Sequence, residues 1–334
     1  MMNSFWTGKK VLITGGAGFI GSHVVEKLIA RGAKVSIFDN LRPGNMQNLV
    51  NVKKQYQFIE GDCRNENSIF TACKGKDVVF NLAAKVAGVD YNKKHKGTML
   101  SQNLLISASV TKAAAEAGIE RFLVVSSACV YPDNCSVPTP EDEGVVGDPE
   151  SANSGYGWAK RMSEILGKYY QEEFGIKVAI VRPYNCYGPR DHFLPIPTHV
   201  VPSLIKRVVD GENPITVWGS GNQTRAFLHV EDLSEGMILA VEKYAVCDPV
   251  NLGTDEEVTM KELVEKIIKI NGRDVPVVFD TSKPDGSPRR NSDNKKAFKK
   301  LGFKAKISLE EGLKETIQWY KKQNMRKLSR QQDI

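Results

Sequence analysis

The stretch Lys10-Val-Leu-Ile-Thr-Gly15-Gly-Ala-Gly18-Phe-Ile-Gly21-Ser-His-Val-Val-Glu-Lys-Leu-Ile-Ala-Arg31 decides the reading of this chain. Its aliphatic start predicts a strand over 10–14, and the apolar residues from Ser22 onward recur at helical spacing, which predicts a helix over 22–31. Between the two lie Gly15, Gly18 and Gly21. One glycine permits a tight turn, the next lets a backbone approach a pyrophosphate, and the third allows close helix packing, with the helix N-terminus facing the phosphates. The fingerprint residues Gly15, Gly18, Phe19, Ile20 and Gly21 are therefore the expected pyrophosphate contacts.

A second strand, Lys34-Val-Ser-Ile-Phe-Asp39, ends in an acid at about the ~20-residue separation expected of a ribose-binding carboxylate. Asp39, with Asn40 beside it, accepts hydrogen bonds from the ribose hydroxyls of NAD and repels the 2′-phosphate of NADP, so NAD is the expected cofactor. Arg42, three residues later, is able in principle to neutralise that phosphate. Asp62, within Glu60-Gly-Asp-Cys-Arg64, is read either as an adenine contact or as a simple turn residue.

Outward from this stretch, strand-length apolar runs alternate with longer helical segments, which argues for βαβ units on a doubly wound parallel sheet of the Rossmann kind. Further strands are expected at 56–62, 77–82, 121–126 and 178–182, with long helices over 100–117 and 156–174. After Gly188-Pro189 prolines at 195, 197, 202 and 214 break the rhythm. Helices are expected there at 202–210, 260–270 and 309–322. The expected division is a cofactor domain of residues 1–186, with 228–256 crossing back to its sheet, and a smaller α/β substrate domain of 187–227 and 257–334.

Length and composition narrow the class. The 334 residues, 41% hydrophobic and 25% charged, are enough for about two domains with real cores and exclude a disordered chain. No apolar run approaches the ~20 residues of a membrane span, and the N-terminus lacks a signal-peptide core, so a soluble, cytoplasmic protein is expected. The six cysteines show no Cys-x-x-Cys pair and no histidine at ligand spacing, which argues against a disulfide framework and a metal site. A net charge of +7 gathers partly in the tail, at Lys321, Lys322, Arg326, Lys327 and Arg330. Without interleaved aromatics this reads as a solvated tail rather than a nucleic-acid surface, and a modest cationic excess suits an anionic substrate.

Tyr156-Gly-Trp-Ala-Lys160 places a phenol and an ammonium one helical turn apart on one face. A lysine and a nicotinamide charge beside the phenol are expected to lower its pKa from ~10, making it a base toward a sugar hydroxyl. Ser127, beyond the strand ending at Ser126, is placed to hold the same hydroxyl.

On these residues the chain resembles the extended short-chain dehydrogenase/reductases, the NAD-dependent nucleotide-sugar epimerase/dehydratase family, from Lys10 to Tyr320. The segments Leu82-Ala-Ala-Lys-Val-Ala-Gly88, Cys129-Val-Tyr-Pro132, Asn185-Cys-Tyr-Gly-Pro-Arg-Asp191, Pro197-Thr-His-Val-Val-Pro202, Trp218-Gly-Ser-Gly221 and Phe227-Leu-His-Val-Glu-Asp232 are similar to its GDP-L-fucose synthase branch. The segments Ser126-Ser-Ala-Cys-Val-Tyr-Pro132, Pro249-Val-Asn-Leu-Gly-Thr-Asp255 and Arg290-Asn-Ser-Asp-Asn294 resemble the GDP-mannose 3,5-epimerase branch. The resemblance implies catalytic roles for Ser127, Tyr156 and Lys160, an acid/base pair of Cys129 and His199, and cofactor contacts at Leu82, Ala83, Ala84 and Lys85. It implies nucleotide-sugar contacts at Asn185, Arg207, Trp218, Arg225 and Arg290, a surface ion pair being the plainer reading of Arg207. It also implies a homodimer formed through the helices over 100–117 and 156–174, with Leu104, Ile165 and Leu166 as contacts.

The expected activity is an NAD-dependent epimerase that oxidises carbon 4 of a GDP-hexose and inverts carbon 3, carbon 5 or both. A ketone at carbon 4 acidifies the neighbouring hydrogens, and a thiol with an imidazole brackets neutral pH. An epimerase-reductase of the fucose synthase kind is the alternative, since that branch implies NADPH and lacks an acid like Asp39. A 4-epimerase in which Cys129 only packs, and a non-catalytic NAD-binding protein, stay open. A 4,6-dehydratase is disfavoured because Ser127-Ala-Cys129 lacks the Asp-Glu pair that resembling dehydratases carry.

Overall fold

The computed structural model describes residues 4–42, 44–193, 199–283 and 285–332. The expected chain breaks at Pro195 and Pro197 lie outside them. The first half runs β1 (Lys10–Thr14), α1 (Phe19–Ala30), β2 (Lys34–Asp39), β3 (Tyr56–Glu60), α2 (Glu66–Cys73), β4 (Val78–Asn81), α3 (Val89–Lys94), α4 (Lys96–Glu116), β5 (Arg121–Val125), α5 (Ser154–Phe174) and β6 (Lys177–Pro183). The second half continues with β7 (Cys186–Tyr187), α6 (Val200–Val209), β8 (Ile215–Trp218), β9 (Thr224–Ala226), β10 (Leu228–His229), α7 (Val230–Lys243) and β11 (Val250–Leu252). Then come β12 (Glu257–Thr259), α8 (Met260–Asn271), β13 (Val277–Asp280), β14 (Arg289–Arg290), α9 (Lys295–Leu301) and α10 (Leu309–Gln332).

Seven strands form one parallel sheet in the order β11-β6-β5-β4-β1-β2-β3. Parallel strands require crossovers, and these cover both faces with helices, which is why β1 is buried almost throughout instead of alternating with polar residues. Alternate β1 side chains enter opposite cores: Val11 and Ile13 pack with Val24, Val25 and Leu28 of α1 and Leu233 and Met237 of α7. Leu12 packs with Ile69 of α2 and Val110 and Ala113 of α4. A separate core gathers Leu204 and Ile205 of α6, Leu263 and Ile267 of α8, and Leu313 and Ile317 of α10. Small sheets serve this second core, with β9 between β12 and β14, and β8 beside β13.

The differences from the sequence reading are local. The segment expected only to cross back to the sheet is a 14-residue helix, α7, followed by β11 on β6. Its Val230, Leu233, Met237 and Val241 are buried at helical spacing, with Gly236 placed where Leu252 and Phe303 leave no room for a Cβ. The short helices α2 and α9 were also unexpected. The last helix continues to Gln332 instead of ending at Lys322, because no glycine or proline interrupts 323–332. Among the described residues no helix is long and apolar enough to cross a membrane.

Candidate active site

The predicted residues of the first half converge at the C-terminal ends of the sheet strands, where ligands bind in open α/β sheets. Gly15 follows β1 in the left-handed region, φ 69°, and a Cβ there would lie 2.9 Å from the Ala83 nitrogen. A Cβ on Gly21 would strike the Gly15 carbonyl, so α1 packs directly on the turn. The helix begins at Phe19, three residues before the expected Ser22, with Gly18 as its cap and no acidic residue in its first turn. Its amides around Phe19, Ile20 and Gly21 are thereby left for an anion. Thr14 pins the neighbouring loop: its Oγ1 donates to Asn81 at 2.8 Å and accepts from the Ala83 amide at 3.2 Å. Leu82 donates to the Thr14 carbonyl at 3.2 Å, Ala84 follows Ala83, and the Lys85 amide donates to Asn103 Oδ1 at 2.9 Å while its carbonyl accepts from Asn103 Nδ2 at 3.1 Å.

Asp39 ends β2 and is 6% exposed. Its Oδ2 accepts from Ala17 in the glycine turn at 2.9 Å, and its Oδ1 from Leu41 at 2.8 Å. Burial raises its pKa against the opposing pull of those amides. Next to it a cavity of about 470 Å³ is lined by Asn40, Arg42, Glu60, Gly61, Asp62 and Arg64. Asp62 is gripped by Arg64 at 2.9 and 2.5 Å, which holds its carboxyl well below the usual range, and it receives Asn40 Nδ2 at 3.4 Å. The sequence reading gave Asp62 no such partner. A glycine cradle closed to any Cβ, a helix end without a side-chain cap and a buried acid beside a polar cavity fit NAD.

Ser127 caps the short turn 128–130 after β5, its Oγ accepting from the Cys129 amide at 3.1 Å. α5 lies against this turn: Gly157 carries no Cβ where the Cys129 carbonyl would meet one. Lys160, 6% exposed, donates to the Val125 carbonyl at 2.7 Å, and its Nζ lies 5.3 Å from the Tyr156 ring centre. Burial lowers the Lys160 pKa to about 8. Tyr156 departs from the expectation: burial, with the neighbouring Cys129, raises its pKa. The lysine alone does not overcome desolvation of the phenolate, because its own ammonium is buried and bonded to the backbone. Burial and the Glu150 carboxylate push Cys129 up to about 12, with Arg290 pulling the other way.

His199 precedes α6, and its Nδ1 lies 3.1 Å from Oδ1 of Asp191, which also accepts from the His192 amide at 2.7 Å. Burial disfavours the His199 cation, but the Asp191 hydrogen bond and charge outweigh it and raise the pKa. Arg225 on β9 and Arg290 on β14 are register partners, and burial together with Arg290 lowers the Arg225 pKa. Arg290 pairs with Glu150 and donates to the Ala128 carbonyl at 2.6 Å. Asn185 Nδ2 donates to Ala226 at 3.3 Å, while Trp218 is 58% exposed with Lys283 6.0 Å from its ring. Arg207 holds Glu212 at the end of α6, the plainer of its two readings.

Sequence reasoning missed Glu150, Asp191 and the pair Arg182–Glu164. Arg182, 1% exposed, meets Glu164 at 2.8 and 2.7 Å and the Tyr131 hydroxyl at 3.1 Å, and Ser126 donates to the same Glu164. That network braces the strand end that presents Ser127. No spacing rule joins Arg182 with Glu164, Asp191 with His199, or Glu150 with Arg290.

Fold and site define a dinucleotide-dependent enzyme with a tyrosine–lysine couple beside a thiol. The model of the NAD dependent epimerase/dehydratase family matches residues 11–253, and the chain belongs to that family. It is an NAD-dependent enzyme of the epimerase type. It is 33% identical over 318 residues to the probable GDP-L-fucose synthase 1 of Oryza sativa subsp. japonica, covering 94% of this chain and 92% of that protein. It is 31% identical to the GDP-mannose 3,5-epimerase 1 of the same plant, covering 96% of this chain and 84% of that protein. Among solved structures, UDP-glucose 4-epimerase with UDP-glucose from Thermotoga maritima superposes with a TM-score of 0.85 at 32% identity, covering 94% and 99% of the two chains.

Proposed function

We propose that this protein is an NAD-dependent epimerase of a GDP-hexose, acting at carbon 3, carbon 5 or both after oxidation at carbon 4. The observation that carries this reading is the position of Cys129: it stands two residues after Ser127, its amide donating to the Ser127 Oγ at 3.1 Å, and its carbonyl packs against Gly157, the residue after Tyr156. A simple 4-epimerase needs no titratable group there. Relatives named GDP-L-fucose synthase and GDP-mannose 3,5-epimerase support a GDP-sugar over other nucleotide sugars.

Bound NAD supplies the reversible redox change at carbon 4. Tyr156 takes the hydroxyl proton while Ser127 orients that hydroxyl, and Lys160 favours the phenolate once the nicotinamide charge adds to its own. The resulting ketone makes the hydrogens on carbons 3 and 5 acidic, and Cys129 and His199 remove and return protons on opposite ring faces. Asp191 orients the imidazole through Nδ1 and stabilises its cation. Arg225, the register partner of Arg290, suits a diphosphate.

The second reading, an epimerase-reductase of the fucose synthase kind, is favoured by the Asp191–His199 couple, since His199 is the residue implied by that branch. Incubation with GDP-, UDP- and dTDP-sugars in deuterated water, followed by mass and proton spectra, tests both. Deuterium at carbon 3 or 5 of a GDP-sugar without net reduction supports the epimerase. Net consumption of a reduced cofactor supports the second reading, and exchange in none of the sugars defeats both.

A further inference from the structure

Glu150 is a carboxylate that the reaction above does not use. It is 6% exposed and lies six residues ahead of Tyr156. Its amide donates to the Tyr131 carbonyl at 2.8 Å, and its carboxylate accepts from Asn153 and from Arg290. Arg290 reaches the site from β14, and its other terminal nitrogen donates 2.6 Å to the carbonyl of Ala128, the residue directly before Cys129. One guanidinium thus ties the buried carboxylate to the backbone of the turn that presents the thiol. The charged and titratable groups facing Cys129 are Tyr156 and Lys160 from α5, Glu150 from the loop before it, and Arg290 from β14.

We propose that Glu150 is the positioning residue for Cys129, holding Arg290 against the Ala128 carbonyl while cancelling its charge, so that the thiol keeps its proton until substrate is in place. A thiol beside an uncompensated guanidinium ionises at lower pH and reacts with any electrophile that reaches it. Glu150 removes that bias twice, through its pairing with Arg290 and through its own negative charge near the sulfur. Burial is the largest cause of the raised Cys129 pKa, and Glu150 adds to it while Arg290 opposes it. The consequence for catalysis rests on Cys129 being a proton-transfer group, whereas the consequence for thiol reactivity does not.

The test is the pH dependence of iodoacetamide alkylation at Cys129, followed by peptide mapping in the full-length protein. Glu150→Gln is expected to move the alkylation profile down by about one pH unit or more, corresponding to about tenfold faster modification at a fixed pH below the midpoint. Glu150→Asp should restore much of the wild-type profile. An unchanged profile in Glu150→Gln overturns the proposal. Should that variant fail to fold, Arg290→Met decides: slower alkylation than wild type is expected at each pH, and equal or faster alkylation overturns the proposal. In deuterium exchange at carbons 3 and 5, the thiol-dependent limb of the pH profile should shift with the alkylation profile. If alkylation shifts while wild type exchanges no ring hydrogen in any sugar, the functional reading fails and the assignment of Glu150 stands.

Discussion

Asp39, at the end of β2, braces the glycine turn. Its two oxygens hold the amides of Ala17 and Leu41, which fixes the carboxylate beside the turn, and we propose that it meets the adenosine ribose there. A 2′-phosphate there meets a buried negative charge, so cofactor-stripped protein should bind NAD at least about tenfold more tightly than NADP, ~1.4 kcal/mol. Asp39→Asn should erase most of that margin. Calorimetric titration of both proteins checks this, and equal wild-type affinities would promote the fucose synthase reading. At the other end of the site, redox and epimerisation should be separable. Cys129→Ser places a hydroxyl of far higher pKa where the thiol was, and is expected to abolish deuterium uptake at carbons 3 and 5 while transient reduction of bound NAD persists. Tyr156→Phe should suppress both, since without the ketone those hydrogens are not acidic. A Cys129→Ser protein with full activity would return Cys129 to a packing role. Asp39 and Tyr156 were legible because their spacing from the glycine turn and from Lys160 carries the chemistry. Glu150 was not, because Arg290 reaches it across 140 residues of chain, and Asp191 was not, because its eight-residue separation from His199 matches no motif spacing.

At the level of elements, α1 and α7 are locked side by side over one face of the sheet. His23 Nδ1 lies 2.5 Å from Glu231, Lys27 Nζ lies 2.6 Å from the same carboxylate, and Arg31 meets Glu235 at 2.6 Å. Burial pushes the Glu231 carboxyl up, but His23 and Lys27 outweigh it and bring the pKa to about 2. The folded value lies below the unfolded value of about 4.3, so this contribution to stability is complete above the unfolded value and is lost as pH falls from about 5 toward 2. Melting temperatures measured between pH 6 and pH 3 should fall more steeply for wild type than for Glu231→Gln. Parallel curves would place the acid sensitivity elsewhere. The periodicity of α1 was readable, whereas α7 was taken as a crossing segment and its pairing with α1 spans about 200 residues of chain.

At the scale of the whole molecule, the outer faces of α4 and α5 keep apolar side chains in the open. Leu105, Ile165, Tyr169 and Phe174 are exposed, while Leu104 and Leu166, named from the sequence beside Ile165, are half-buried within the protomer. A two-fold pairing of these helices would cover the patch. Light scattering at micromolar concentration should give the mass of a dimer, and Leu105→Glu with Ile165→Glu should halve it; a wild-type monomer counts against the pairing. The alternation of strands and helices, the glycine turn, Asp39 and the tyrosine–lysine couple are set by the sequence alone, because each depends on neighbours within one turn, one strand or one βαβ unit. The return of 228–256 to the sheet was also expected, but only the tertiary structure decided that it does so through α7 and pairs β11 with β6, that Arg290 crosses to the Cys129 turn, and that burial raises the Tyr156 pKa. Those outcomes depend on packing and desolvation between segments distant in the chain, and neither periodicity nor motif spacing carries that information.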